Sequence, residues 1–389
     1  MSTADEAGSS AGLPWRRDRE GRGASREHFR GCLLAGAAGD ALGAPVEFLS
    51  GDEIRRRFGE EGITRYGPAY GGLGRITDDT QMTLFTAEGL LRAWVRGCLR
   101  GVTTYTGVTA SAYLRWLQTQ GEHPRGGAGP GPEGWLFQQP ELHSRRAPGN
   151  TCISALHAMA ELGDPATNDS KGCGGVMRTA PVGLFAWARR QPHIEHEAVQ
   201  EAFDLGNALA ALTHGHPSGW LTGGTLAVLI LALADGASLR EGLAAARSLL
   251  RQERDSGETL DALERAEALA DSPRAPKQAI AELGQGWVAE EALAIAVYCA
   301  LVAPDLERGV IMAVNHDGDS DSTGAIAGNL LGIQSGAEAI PAEWLEALEL
   351  RDVIAELADD LWAFRDWPIG TYTAGDDAHE RIVRKYPGC

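Results

Sequence analysis

Asn315-His-Asp-Gly-Asp-Ser-Asp-Ser-Thr-Gly324 runs directly into Ala325-Ile-Ala-Gly-Asn-Leu-Leu-Gly332. Asp317, Asp319 and Asp321 alternate with Gly and Ser, and the residues behind them are small and apolar enough for a buried helix. Buried carboxylates must be paired or coordinated, so this arrangement calls for something positive. It is not an EF-hand. Counted from Asp317, that loop needs Gly at its sixth position and Glu at its twelfth, where this chain has Ser322 and Gly328. Far upstream, Thr77-Asp78-Asp79 opens a second apolar helical run. Locally it reads as a helix cap. Chemically it is three more hard oxygens, the ligand type of Mg²⁺, Mn²⁺ or Ca²⁺. The two clusters together predict one binuclear site assembled from both ends of the chain, able to activate a water at neutral pH.

Outward from these clusters the pattern is helical. Arg30 to Gly43 predicts a small-residue helix that lets neighbours approach closely, ended by Ala44-Pro-Val-Glu-Phe48. Residues 50–75 read as a surface loop, Thr77 to Arg96 as the first long helix, and 107–119 as another. The Gly/Pro-rich stretch 120–150 is the candidate mobile or substrate-facing segment. Helices are expected from Asn150 or Thr151 to Glu161 and from Val176 to Arg190. Others follow at about 196–213, 219–235, 239–252, 258–270, 274–283, 289–302, 305–316, 323–334 and 342–362, from spacings near 3.6 residues. Strand-like alternation is almost absent. The fold class is all-α, a compact multi-helix bundle. Residues 1–26 read as a disordered tail, 27–389 as a single domain, and the end of the chain (363–389) as packing back on the body.

The chain has 389 residues, 43% hydrophobic, with net charge −18. That length buries a large core. The acidic balance opposes direct binding to a nucleic-acid backbone or an anionic membrane and suits a site that collects cations. Six scattered cysteines form no CxxC pair, so zinc is not expected and the thiols read as reduced. No apolar run reaches membrane-spanning length and no leader is visible, so the expectation is a cytoplasmic protein.

Ser170-Lys-Gly-Cys-Gly-Gly-Val-Met-Arg178 is not a Walker motif. A glycine loop before a helix still makes an anion nest, with Lys171 and Arg178 at hand for phosphate, although ordinary loops are also glycine-rich. Thr213-His-Gly-His-Pro-Ser218 places two histidines at a helix junction, where either a structural or a ligand-contacting role fits. Asp40, in the small-residue helix, needs a partner. Glu47 reads either as a surface carboxylate or as a group on a mobile loop. Gly284-Gln-Gly-Trp287 is a turn into a helix and carries little by itself.

Taken together, these stretches resemble the ADP-ribosylglycohydrolase family. The residues carrying the resemblance are Gly39-Asp-Ala-Leu-Gly-Ala-Pro-Val-Glu-Phe48, Thr77-Asp-Asp-Thr-Gln-Met82, Gly172-Cys-Gly-Gly-Val-Met-Arg178, Thr213-His-Gly-His-Pro217 and Gly318-Asp-Ser-Asp-Ser-Thr-Gly324, in the family's order over about 28–335. The resemblance implies an all-α orthogonal bundle and two Mg²⁺ or Mn²⁺ ions. Thr77, Asp78 and Asp79 match one ligand trio, and Asp319, Asp321 and Ser322 the other, with Ser where Thr is frequent. Glu47, Asp78 and Asp319 are the implied catalytic carboxylates. Lys171, Gly172, Cys173, Gly174, Gly175, Met177, His216 and Asp317 are the implied substrate contacts, Asp317 standing where Gly is common. The implied reaction releases ADP-ribose from a modified acceptor, foremost an arginine side chain of a protein, by a hydrolase expected to be a monomer. A non-catalytic ADP-ribose-binding relative and a metal-dependent phosphohydrolase are the alternatives.

Overall fold

The computed structural model describes residues 23–124, 130, 131, 133–190, 196–370 and 375–388. Among them are α-helices and short 3₁₀ turns, with two isolated bridges, Ala69 to Gly72 and Gly172 to Val288, and no strand. The all-α expectation is met. Most of the expected tail, residues 1–22, lies outside the described residues, as does Cys389.

The fold is centred on an antiparallel pair, α1 (Arg26–Gly43) and α14 (Ser320–Ser335). Glycine lets these backbones touch. A Cβ at Gly39 would stand 2.1 Å from the Gly324 carbonyl oxygen, and one at Gly328 would stand 2.1 Å from that of Ala35. The Asn329 side chain donates to the Cys32 carbonyl at 2.8 Å across the same seam. This contact sets the register. It places Gly43, at the end of α1, against Ser320 and Asp321 at the start of α14. Gly328→Ala is expected to cost about 3 kcal/mol, the upper end for overpacking, because the atom struck is backbone and the helices must part. An unchanged denaturation midpoint would contradict this close packing.

Around the pair, α3 (Asp78–Arg100) packs on α4 (Tyr105–Thr119), and α7 (His196–Ala211) on α8 (Pro217–Ala234). By length and mean hydropathy, 1.5 over 18 residues, α8 could cross a membrane, and 89% of it is buried inside the protein. The expectation that no run reaches spanning length is thus corrected: α8 is a core helix, apolar on every side because neighbours surround it. The remaining helices are α9 (Leu239–Leu250), α10 (Gly257–Ala270), α11 (Pro276–Leu283), α12 (Ala289–Val302) and α13 (Leu306–Val314).

Other boundaries shift for local reasons. Residues 50–75 contain α2 (Gly51–Phe58), opened by a capping box in which Glu53 accepts from the Ser50 amide at 2.9 Å. After α5 (Asn150–Ala158), α6 (Ala180–Arg190) starts four residues later than expected, behind a 3₁₀ turn over Cys173–Gly175. Helix α14 starts at Ser320 rather than 323, so the acidic cluster is part of its first turn. The span 342–362 is two helices, α15 (Ala342–Ala347) and α16 (Arg351–Ala363), broken where Leu350 takes φ 55°. The last helix, α17 (Asp377–Lys385), leads to buried Tyr386, which stacks on Trp367 with centroids 5.4 Å apart.

Candidate active site

Asp40, on the buried face of α1, organises the first acidic cluster. Its carboxylate accepts from the Thr77 amide at 3.0 Å, the Thr77 hydroxyl at 2.9 Å, the Thr80 amide at 3.1 Å and the Thr80 hydroxyl. These bonds pin the N-terminus of α3 to α1. Thr77 caps α3, so Asp78 and Asp79 leave its first turn side by side. The second cluster is fixed from the opposite side. Asp319 caps α14, its amide donates to the Gln285 carbonyl at 2.8 Å, and Asp321 accepts from the Ser322 amide at 3.0 Å. Capping and ligand presentation use the same carboxylates.

Glu47, Asp78, Asp79, Asp319 and Asp321 line one cavity of about 170 Å³, together with Ser322, Cys173, Met177 and His214. None of the residues lining it is Lys or Arg. Burial, and the charge of Asp321, push the Glu47 carboxyl up to about 10, with Asp319, Asp78 and Asp40 adding to it. Burial holds Asp78, Asp79 and Asp319 well above the usual carboxylate range, and Asp321 raises all three further. Asp40 is pushed up to about 7 by burial and Asp321, against its four donors. Glu47 Oε2 and Asp79 Oδ1 are buried without a hydrogen-bond partner. Like charges held together in low dielectric, with orphaned oxygens among them, form a site short of positive charge. Carboxylate and hydroxyl oxygens are the donors a hard divalent cation takes, so this residue set fits the expected ions. The oxygens surround a cavity rather than close into a tight knot. Among the described residues no three His, Cys, Asp or Glu side chains form a ready-made metal cluster.

The expected residues divide. Of the six expected ligands, Asp78, Asp79, Asp319, Asp321 and Ser322 line the cavity, while Thr77 stands behind the wall, fully buried, donating to Asp40. From the glycine loop, Gly172, Cys173 and Gly174 line it. The Cys173 thiol donates to Asp319 Oδ2 at 2.8 Å. Gly175 instead packs on α8, where a Cβ would stand 2.4 Å from the Gly219 carbonyl oxygen.

Four assignments are corrected. Lys171 turns away, its ammonium bonded to Glu258 at 2.8 Å and Glu290 at 2.5 Å, so two carboxylates already neutralise it. Arg178 is fully buried, 4.4 Å over the Tyr113 ring and donating to the Thr213 hydroxyl at 2.6 Å, which makes it a core group. His216 caps α8, accepting from the Ser218 amide at 3.1 Å. The cavity histidine is His214, whose ring Nδ1 meets the Thr213 hydroxyl at 2.8 Å and is lowered to about 3 by burial and Arg178. Asp317 is exposed and accepts from the Gly51 amide at the start of α2.

Sequence reading missed His214, Ala147, Gly149, Thr151, Cys152 and Trp287. The alternation His-x-His could have pointed to His214, because residues two apart at a helix break face different ways. Gly149 closes the 120–150 stretch, and its amide donates to Asp78 Oδ2 at 3.1 Å, so the end of that stretch does reach the site. Trp287, beyond the weak Gly-x-Gly turn, had no signal of its own.

A helical body in which two acidic helix starts meet a glycine loop in one cavity is the arrangement that the resemblance implies. The family model for ADP-ribosylglycohydrolase matches residues 22–368, and the chain belongs to that family, whose members hydrolyse ADP-ribose linkages. It is 26% identical over 328 residues to an ADP-ribosyl-[dinitrogen reductase] glycohydrolase of Rhodospirillum rubrum, covering 82% of this chain and 90% of the relative. It is 28% identical over 352 residues to an ADP-ribosylarginine hydrolase of Pseudomonas putida, covering 86% and 78%. A solved ADP-ribosylglycohydrolase-related protein complex superposes with a TM-score of 0.63 at 28% identity, covering 87% of this chain and 97% of that one.

Proposed function

We propose that this protein removes ADP-ribose from modified arginine side chains of proteins, with two Mg²⁺ or Mn²⁺ ions held by Asp78, Asp79, Asp319, Asp321 and Ser322, and Thr77 behind them fixing the start of α3. The observation that carries it is the gathering of five carboxylates around one cavity with no Lys or Arg in its lining. Divalent ions bound there supply positive charge toward the ribose hydroxyls and lower the pKa of water. The relative from Pseudomonas putida supports the arginine linkage.

The protein's own groups account for the rest. The cavity, about 170 Å³, is smaller than the roughly 300–1,000 Å³ that encloses a drug-sized ligand. It therefore takes the reacting ribose, with the diphosphate beside the Gly172–Gly174 turn, whose glycines let an anion approach the backbone closely. Holding the anomeric carbon in place is a positioning gain. Water adds to that carbon, the bond to the guanidine nitrogen breaks, and one proton passes to the departing guanidine. Glu47 is the lining carboxyl outside both ligand trios, and its Oε2 is free of other bonds, so it is the group to carry that proton. Neutral His214 shapes the wall without adding charge. The reading extends to a monomer in a reducing, cytoplasmic setting, supported by five separate thiols among the described residues.

The test incubates the protein with Mg²⁺ or Mn²⁺ and either an arginine-ADP-ribosylated protein or a serine-ADP-ribosylated peptide, following products by mass spectrometry. Free ADP-ribose from the arginine substrate is expected. Release from serine alone overturns the linkage, AMP with ribose phosphate overturns glycosidic cleavage, and no product from either substrate overturns the reading.

A further inference from the structure

We propose that Phe48 and Trp287 form a platform at the cavity mouth that receives the acceptor side chain and selects a planar cation, the guanidinium of ADP-ribosylated arginine; this rests on the function proposed above. Phe48 is 72% exposed, the highest value among the large apolar side chains described, and Trp287 is 39% exposed. Their rings stack with centroids 5.7 Å apart and planes 16° from parallel. A paired aromatic surface left in water marks a contact site more than a packing need.

Its position says what it contacts. Phe48 directly follows Glu47, the buried carboxyl beside the bond to be broken. Trp287 lines the cavity, and its carbonyl accepts from the Cys173 amide at 3.2 Å. The stack therefore joins the Glu47 segment to the glycine loop across the mouth. Tyr70 is also near the cavity carboxylates, 41% exposed on the tight turn Ala69 to Gly72, where Tyr70 takes φ 49° and Gly71 φ 82°. A left-handed Tyr is strained, and strain of this kind gathers at functional sites. The Tyr70 phenol lies within electrostatic range of Glu47 and Asp321.

Aromatic faces attract cations, and these adjoin five carboxylates with no basic side chain lining the cavity. Guanidinium is flat and weakly hydrated, so it stacks where ammonium does not. A serine acceptor offers neither plane nor charge. Adenine could stack as well, but it is uncharged, and the platform stands beside Glu47, on the acceptor side of the ribose.

Steady-state kinetics on arginine-linked and serine-linked substrates, with calorimetric titration of free ADP-ribose, test this in Phe48→Ala, Trp287→Ala and Trp287→Phe. Phe48→Ala, at an exposed position, is expected to raise KM for the arginine-linked substrate about tenfold, the scale of a partly desolvated cation–π contact, with kcat and ADP-ribose affinity unchanged. Trp287→Ala should likewise raise KM for the arginine-linked substrate, and Trp287→Phe should restore most of that loss. An equal loss of ADP-ribose affinity would assign the platform to adenine and overturn the proposal, as would unchanged kinetics in both alanine variants. If the unaltered enzyme releases nothing from arginine, the functional reading fails before any variant is compared, and the platform falls with it.

Discussion

Asp321→Asn is expected to lower ADP-ribose release by about a thousandfold or more, the scale of losing one preorganised electrostatic group at a reacting centre, and to raise the melting temperature of the chelator-treated protein. Both effects come from one fact. Asp321 is the neighbour whose charge bears on Asp40, Glu47, Asp78, Asp79 and Asp319 alike. Without a counter-ion it repels each of them in a buried setting, so removing its charge relieves the cluster. Asn keeps the shape and an oxygen for the Ser322 amide, which bonds to Asp321 Oδ1 at 3.0 Å. Function and stability thus oppose each other at this residue, as at active sites generally. Turnover assays and thermal melts in chelator check the pair. Full activity would remove Asp321 from the machinery, and a lower melting temperature would mean that the cluster is not repulsive.

Chelator-treated protein should lose stability as pH rises, and added Mg²⁺ or Mn²⁺ should restore it. The folded values of Asp40 and Glu47 lie above those of the unfolded chain, at about 7 and about 10, and Asp78, Asp79 and Asp319 are raised too. Across that window the native state binds more protons than the unfolded state, so stability falls with pH. The favourable contribution is complete below about pH 4, where unfolded carboxyls are protonated. It drains away until each folded value is passed, near 7 for Asp40 and near 10 for Glu47. Each unit of displacement corresponds to about 1.4 kcal/mol. Surface carboxylates such as Glu201, held low first by Arg190, act in the opposite sense, so the site is isolated by comparison with Asp321→Asn. Metal at a hundred times its Kd adds about 2.7 kcal/mol per site. Denaturant titrations at acid, neutral and alkaline pH, with and without metal, measure both parts. A flat profile in chelator, or no response to metal in the unaltered protein, would contradict the charge deficit on which the proposed function stands.

Much of the fold was legible because its causes are local. Helix follows helix wherever apolar residues recur near 3.6, and Asp305 before Leu306 marks a start that a cap specifies within three residues, whereas the start of α2 at Ser50 and Glu53 reads as loop. Two carboxylate-rich helix starts were legible for the same reason, since a cap and a hard-oxygen ligand are the same chemical group. The break at Leu350 was not legible, because a left-handed residue there is tolerated only through tertiary contacts.

The oxygen donors, the glycine loop and the helical class were determined by the sequence alone, through patterns that act over a few residues. Tertiary structure alone decided which groups face the cavity. Lys171 looked like a phosphate ligand until Glu258 and Glu290 engaged it. His214 rather than His216 entered the wall because its ring packs against Gly174 and Gly175 of the glycine loop. Asp317 left the acidic cluster for the start of α2, and Trp287 met Phe48. A side chain's role depends on its charge partners and burial, and here these come from residues tens to hundreds of positions away.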